Sequence, residues 1–156
     1  MRRPLRVLSS GELEEFLRAP RVARVAVVLS DGRPHVTPVL YVWDGETLQF
    51  STRARTLKMQ GLEPGDRVSV TVDEEAPPWR GVLIDGVVER LLHDRAWAAS
   101  ALSRYVGEPA AEAYADHLAR KELDRVRICV LPVSIASWNH GKALARTAAV
   151  FPGAQR

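Results

Sequence analysis

The sequence predicts one small domain of the α+β class, an antiparallel β-barrel with a few helices on one side. Segments of alternating or β-branched residues recur at short intervals along the chain. Tight turns rich in Gly, Asp and Pro separate these segments, which favours hairpins over parallel crossovers. The chain has 156 residues, of which 46% are hydrophobic and 26% charged, a composition typical of a single globular domain.

The first half of the chain predicts a helix followed by a three-stranded meander. Ser9 and Glu12 have the spacing of a capping box, so a short helix begins there and ends before Pro20. Turn residues at 30–34 and at Asp44-Gly45 then divide a β-rich region. The predicted strands are 22–29, 36–42 and 47–52.

A short helix is predicted next, at 55–62, before the chain returns to strands. Val68, Val70 and Val72 alternate with polar residues, which predicts a half-buried strand at 67–73. The strand predicted at 81–91 contains Asp85-Gly86, a pair typical of a β-bulge.

The last third predicts a helical hairpin and the strand that completes the sheet. Asp94 is a typical N-cap, and Trp97, Ala101 and Tyr105 fall on one face of the helix that follows it. A second helix is predicted at 109–123 and a final strand at 126–131, extended by 132–138. We therefore expect a single domain over 1–156, with its core at 8–141 and a C-terminal tail rich in Ala and Gly at 142–156.

Composition and motifs exclude several functional classes. The net charge of +3 comes from interleaved charges, so we expect no nucleic-acid partner. No secretion signal is found and the apolar runs are strand-sized, so we expect a cytoplasmic protein without a membrane partner. Cys129 is the only cysteine, and the four histidines lack metal-ligand spacing, so no metal site is predicted. Nucleophile-elbow, Rossmann and P-loop motifs do not occur.

One segment combines hydroxyls with cations where a strand ends and a helix is predicted to begin. A helix N-terminus has free amides and a positive dipole end, and added cations suit it to a phosphate dianion. The alternative is a solvated, basic start of a helix. The segment contains Ser51, Thr52, Arg53, Arg55, Thr56 and Lys58.

Five motifs in order resemble the pyridoxamine-5′-phosphate-oxidase-like family of flavin-binding split barrels. The similarity extends over residues 10–141. In that family two chains pair, and an FMN lies in each of two clefts at the dimer interface. The motifs are Asp31-Gly32-Arg33-Pro34-His35-Val36-Thr37-Pro38-Val39, Leu48-Gln49-Phe50-Ser51-Thr52, Thr56-x-Lys58, Asp66-Arg67-Val68-Ser69-Val70 and Ser137-Trp138-Asn139-x-Gly141.

The resemblance implies which residues would bind the cofactor. A strand segment would follow the flavin ring and ribityl chain, two further hydroxyls would continue that wall, and Thr56 with Lys58 would hold the phosphate. Trp138 resembles a family tryptophan close to the flavin, and its alternative role is core filling. These cofactor-binding residues are Thr37, Pro38, Val39, Ser51, Thr52, Thr56, Lys58 and Trp138, with Arg53, Arg55 or Arg80 as sources of further positive charge.

The sequence departs from the true oxidase at positions that matter for its reaction. Thr37 and Val42 stand where the oxidase has an arginine and a lysine. Its Arg-x-His-Asp-Arg pattern, which grips substrate and cofactor, corresponds here to residues 144–148, where Arg146 is the only cation. We therefore expect that the chain does not oxidise pyridoxamine phosphate, because the substrate phosphate would remain unpaired.

The resemblance implies a homodimeric flavoprotein, an FMN-dependent oxidoreductase of an unidentified small molecule. Hydride would pass through flavin N5, and no catalytic side chain is assigned. Relatives that bind the deazaflavin coenzyme F-420 are also similar, and Arg53, Arg55, Lys58 and Arg80 suit its longer anionic tail. A non-enzymatic carrier or sensor of flavin or haem is a second alternative, and a module that contacts nucleic acid through this basic segment is a third.

Overall fold

The structure is a computed structural model that describes residues 7–121 and 124–150 of the chain. Six antiparallel strands form a closed barrel in the order β1-β2-β3-β6-β5-β4, so the predicted α+β barrel is confirmed. The strands are β1 (Val22–Val28), β2 (Pro34–Trp43), β3 (Leu48–Arg53), β4 (Arg67–Asp73), β5 (Arg80–Leu91) and β6 (Arg125–Asn139). The helices are α1 (Ser10–Arg18), α2 (Arg95–Val106), α3 (Glu108–Arg120) and α4 (His140–Val150).

Local sequence signals account for most of these boundaries. Ser9 and Glu12 form the predicted capping box of α1, and Asp94 accepts a hydrogen bond from the Trp97 amide at the start of α2. The register of β5 against β6 shifts between Asp85 and Gly86, at the predicted bulge. β6 is a single strand of 15 residues that pairs with both β3 and β5 and thereby closes the barrel.

Two predicted elements differ from the structure. The helix expected at 55–62 is a short 3₁₀ helix, Leu57–Gly61. It is limited to these five residues because the backbone of Thr56 before it is extended and the turn at Pro64-Gly65 follows soon after it. The predicted tail continues as α4, directly after β6, and residues 151–156 lie outside the described residues. The second helix of the hairpin ends at Arg120, and the end predicted for it, at 122–123, is also outside them.

The core fills the barrel with the inward residues of every strand. Tyr41, Phe50, Ile84 and Ile128 are almost completely buried, and α1 adds Phe16 and Leu17 to the same cluster. Burial of this apolar surface is the main driving force for the fold. Cys129 is buried and free, as expected for a cysteine that packs as a small hydrophobe. No helix in the described ranges is long and apolar enough to cross a membrane.

Candidate functional site

A cleft of about 490 Å³ lies between the outer face of the barrel and the hairpin of α2 and α3; we call it the hairpin cleft. Its volume falls within the range of small-molecule and cofactor sites. Tyr105 of α2 holds the hairpin on the barrel. Its hydroxyl accepts a hydrogen bond from the amide of Tyr41 and lies 2.7 Å from the Tyr41 carbonyl oxygen.

The middle of the hairpin cleft is apolar. On β2 the inward residues Tyr41 and Trp43 are buried, so the alternate residues Pro38, Leu40 and Val42 face outward into the cleft. Opposite them, α2 contributes Trp97, Ala98, Ala101 and Leu102, and α3 contributes Tyr114, Ala115 and Leu118. These two walls suit a flat, apolar group.

One end of the cleft is polar and basic. The Lys58 ammonium donates to Thr52 Oγ1 at 3.4 Å, and Thr52 Oγ1 lies 3.3 Å from Thr56 Oγ1. Arg125 of β6 donates from Nε to Ser51 Oγ at 2.8 Å, across the β3–β6 pair. Two cations and three hydroxyls therefore meet at this end.

The described residues do not neutralise the cations at this end. Within residues 7–121 and 124–150, neither Lys58 nor Arg125 has a carboxylate partner. Burial and the charge of Arg125 lower the pKa of Lys58. Burial and the charge of Arg53 lower the pKa of Arg125, although Tyr114 opposes this. A bound anion would relieve the repulsion between these cations. Neighbouring cations of this kind are typical of a phosphate-binding site.

His93 contributes an unsatisfied polar atom to the same cleft. Its Nε2 atom is buried and has no hydrogen-bond partner in the described part of the chain. The imidazole makes an edge contact with Trp97, with 6.0 Å between ring centroids. Burial, with the charges of Arg125 and Arg127, lowers the pKa of His93, so the neutral form is favoured. A buried nitrogen of this kind is costly unless a ligand or water pairs with it.

The basic end does not use the helix N-terminus that the sequence predicts there. The 3₁₀ helix has five residues, and Thr56 makes no side-chain cap. The Thr56 amide and hydroxyl both donate to the Arg53 carbonyl oxygen. The amides predicted to be free are therefore partly used within the turn, and the side chains supply the site.

The structure brings six of the predicted cofactor residues together. Four others lie outside the hairpin cleft of this chain: Thr37 has a buried, unpaired Oγ1, Arg55 is exposed, and Arg80 and Trp138 lie near α1 and α4. Arg53, predicted as a source of charge, also lines the cleft. The six predicted cofactor residues that line the hairpin cleft are Pro38, Val39, Ser51, Thr52, Thr56 and Lys58.

Arg80 and Trp138 have other partners. Arg80 donates from Nε to Glu74 Oε2 at 2.9 Å and lies 5.4 Å from the Phe16 ring centroid, so it is engaged in an ion pair, whose carboxylate Arg21 shares. The Trp138 indole packs against Gly81, its cross-strand partner. Arg53, Arg55 and Arg80 were predicted as sources of the charge missing at Thr37 and Val42; the cation that lies next to Lys58 in the cleft, Arg125, was not predicted.

Sequence reasoning missed His93, Tyr114 and Arg125 and assigned no role to Trp97. The face shared by Trp97, Ala101 and Tyr105 was visible in the helical periodicity, and two of these residues line the cleft. Arg125 gave no local signal, because it reaches Ser51 only through a strand pairing that joins residues 74 positions apart.

The fold and the site define a class, a small split β-barrel with a basic cleft beneath a helical hairpin. The model of the pyridoxamine 5′-phosphate oxidase family matches residues 9–139, and the chain belongs to this family. No curated protein sequence matches the chain.

Solved structures with the same fold include three similar chains. A conserved hypothetical protein from Mycobacterium tuberculosis is 29% identical, with a TM-score of 0.73 and 92% of each chain covered. A protein described as an F-420 reductase is 29% identical, with a TM-score of 0.62, covering 79% of this chain and 94% of its own. A FAD-binding protein from Mesorhizobium loti is 28% identical, with a TM-score of 0.59, covering 83% and 92%.

Proposed function

We propose that the hairpin cleft binds the phosphate and ring of a flavin-type cofactor, with FMN as the first candidate, and that the protein is an oxidoreductase. The observation that carries this proposal is the pair formed by Lys58 and Arg125, two part-buried cations that lie beside three hydroxyls and have no carboxylate partner among the described residues. A phosphate group satisfies both the charges and the hydroxyls. The orphaned Nε2 of His93 is a further unfilled hydrogen-bonding position in the same cleft.

The residues of the cleft divide the binding between them. Lys58, Arg125 and the hydroxyls of Ser51 and Thr52 would hold the phosphate, while the β2 and α2 walls would hold the ring and keep water from it. Neutral His93 would accept a hydrogen bond from an N–H or O–H of the cofactor. A bound flavin supplies hydride transfer at its N5, so the chain is required to bind and orient rather than to provide an acid or base.

A deazaflavin, coenzyme F-420, is the alternative cofactor. Two relatives at 28–29% identity support cofactors of this general kind, since one is described as an F-420 reductase and the other as FAD-binding. The basic end of the cleft, with Arg53, Lys58 and Arg125, suits the phosphate of either molecule.

The substrate is not pyridoxamine phosphate in this proposal. Leu144 occupies the first position of the segment that carries the oxidase's substrate-binding pattern, and it is an exposed residue of α4. The basic side chains that this pattern would use are largely replaced by Ala, Thr and Leu. Multiple turnovers of pyridoxamine phosphate to pyridoxal phosphate by the FMN-loaded protein would refute this part of the proposal.

We also propose that two chains pair through the outer face of β1 and β2. Four large apolar side chains on this face are exposed: Val22 beside its cross-strand partner Leu40, and Val28 and Val36 at the other end of the strand pair. Arg24, ion-paired with Asp73 and Glu75, lies between these two apolar groups. Exposed apolar groups bordered by polar residues are typical of an interface between subunits. This face adjoins the hairpin cleft through Leu40, which belongs to both. The four are Val22 (42% exposed), Val28 (60%), Val36 (59%) and Leu40 (43%).

The test is an absorbance titration of the protein with FMN and, separately, with coenzyme F-420. We expect saturable binding. The affinity should be about 10- to 100-fold weaker in Lys58→Ala and in Arg125→Gln, because each substitution removes one charge-assisted hydrogen bond. Lys121→Ala is the control, since Lys121 is exposed at the end of α3 and outside the cleft. Binding of neither cofactor would refute the proposal, and tight binding without turnover by any reductant would reassign the protein as a carrier or sensor.

A further inference from the structure

A second cleft of about 440 Å³ lies beside the hairpin cleft; we call it the arginine cleft because Arg18, Arg104 and Arg127 line it. The two clefts share four lining residues, Val42, Gln49, Trp97 and Ala101. A molecule in the arginine cleft would therefore lie directly next to one in the hairpin cleft, with Trp97 between them.

Two of these arginines have only neutral partners. Arg127 donates twice to the amide oxygen of Gln49, with Nε at 3.1 Å. Arg104 donates to the carbonyl oxygens of Tyr41 and Arg18. Neither forms an ion pair with a carboxylate in the described ranges, whereas Arg18 pairs with Glu14. The positive charge of Arg104 and Arg127 is thus left without compensation.

Asp44 is the one carboxylate among the described residues that line the arginine cleft. Its oxygens already accept hydrogen bonds from the Glu46 and Thr47 amides, the Thr47 hydroxyl and Gln49 Nε2. It holds a turn and a side-chain amide and, within the described ranges, forms no ion pair with an arginine. Because Arg18 is paired with Glu14, the two remaining arginines, Arg104 and Arg127, face one lining carboxylate that is engaged elsewhere.

Arg127 is held in a fixed orientation. Gln49 is only 7% exposed, and its amide is oriented by Asp44 on one side, so its oxygen presents a fixed acceptor to Arg127 on the other. The guanidinium carbon lies 4.4 Å from the centroid of the Trp97 ring. A guanidinium fixed by an amide and an aromatic ring is preorganised for an oxyanion.

We propose that the arginine cleft is an anion site that binds the carboxylate or phosphate of a second small molecule, bound next to the cofactor. This deepens the proposed function, because it names the substrate class as organic anions with an apolar part that contacts Trp97. Binding of the anion itself does not depend on the cofactor, since Arg104 and Arg127 do not line the hairpin cleft.

The test follows the indole N–H signals of the ¹⁵N-labelled protein during a titration with succinate. Trp43 and Trp97 line the arginine cleft, whereas Trp79 and Trp138 do not, so the four indoles report on location. We expect saturable shifts for Trp43 and Trp97 only, and none with succinamide, the uncharged analogue. Inorganic phosphate in a parallel titration distinguishes a preference for carboxylate from one for phosphate. No saturable shift with either anion would overturn the proposal, as would equal shifts of all four indoles.

Two variants connect the signal to the cleft. Arg127→Gln should weaken succinate binding at least tenfold, and Arg127→Lys, which keeps the charge, should weaken it less. Arg95→Gln is the control, because Arg95 is on the same helix as Trp97 but pairs with Glu112 and Asp116. Unchanged affinity in a folded Arg127→Gln protein would overturn the proposal. If that variant does not fold, the affinity of the wild-type protein for succinate is measured at increasing NaCl concentration. An affinity that does not decrease with NaCl would overturn the proposal.

The same titration is run with and without FMN, which separates the two proposals. If FMN does not bind, succinate binding to the free protein still tests the arginine cleft. If FMN binds, we expect its affinity to be unchanged by saturating succinate. Displacement of FMN by succinate would mean that the anion enters the hairpin cleft, and the second site would be refuted.

Discussion

Trp138 covers Gly81 so closely that a Cβ built on the glycine would overlap Cζ2 of the indole. The two residues are direct partners across β5 and β6. The absence of a side chain at position 81 therefore creates the space that the indole occupies, and this fixes the end of β6 where it passes into α4.

We expect Gly81→Ala to lower the free energy of unfolding by about 1–3 kcal/mol, because the methyl group forces the indole or the strand to move. Urea unfolding followed by circular dichroism measures this. Gly11→Ala is the matched control, since a Cβ there meets nothing within 4 Å and the residue lies in α1. A stability of Gly81→Ala equal to that of the wild type would contradict the packing described here.

Glu74 should make stability depend on acid pH. Hydrogen bonding by Arg80, opposed by burial and supported by Arg21, lowers the Glu74 pKa from 4.5 to about 2. The carboxylate therefore stabilises the folded protein fully above about pH 4.5, and this contribution disappears as the pH falls towards 2. We expect Glu74→Gln to cost about 1–2 kcal/mol at neutral pH, and the difference from wild type to shrink at pH 2–3.

Unfolding in urea at several pH values tests this, with Glu75→Gln as the control. Glu75 is 86% exposed in its pair with Arg24, so its substitution should change stability by less than about 0.5 kcal/mol. A difference between Glu74→Gln and wild type that stays constant down to pH 2 would argue against the pKa of Glu74 as its cause.

His93 should report on cofactor binding in the hairpin cleft. Its pKa is lowered by burial and by Arg125, so an NMR titration should place it below 6.5 in the free protein. Binding of FMN should lower the pKa of His93 further, because the ligand buries the ring and donates a hydrogen bond to the neutral imidazole. Loss of one imidazole signal in His93→Gln provides the assignment. A His93 pKa that rises on FMN binding would contradict the proposed hydrogen bond.

A charge placed on the apolar face of β1 and β2 should separate the proposed dimer. We expect the wild type to be a dimer by light scattering at micromolar concentration and Val36→Asp to be a monomer, because an unpaired charge would be buried in the proposed interface. Val133→Asp is the control and should leave the dimer intact. Val133 is 64% exposed and lies on β6, the strand furthest from β1 in the order of the barrel. A monomeric wild-type protein would exclude the dimer.

Sequence patterns were sufficient where the determinants are local. The alternation of Val68, Val70 and Val72 predicts β4 with its observed bounds, and Ser9 with Glu12 predicts the start of α1. In both cases the information lies within a few residues. The segment at 55–62 shows the limit, since its helical tendency is confined to one 3₁₀ turn by its neighbours.

The candidate site was only half predictable for a related reason. Thr52, Thr56 and Lys58 are close in sequence and were found together, and the resemblance to a known family added Pro38 and Val39. Arg125 and His93 come from distant segments, and only the register of β6 against β3 and the packing of α2 bring them to the cleft. Long-range register is not encoded in any short motif.

The last strand of the barrel has a consequence for how the protein is made. β6 pairs with β3 and with β5, and both of these edges stay open until residues 125–139 have left the ribosome. A nascent chain that ends before Arg125 contains Ser51 and Lys58 but cannot assemble their site. A cofactor bound as proposed could therefore join only a chain that already includes β6. Until then the open edges of β3 and β5 are the part of the barrel most exposed to aggregation.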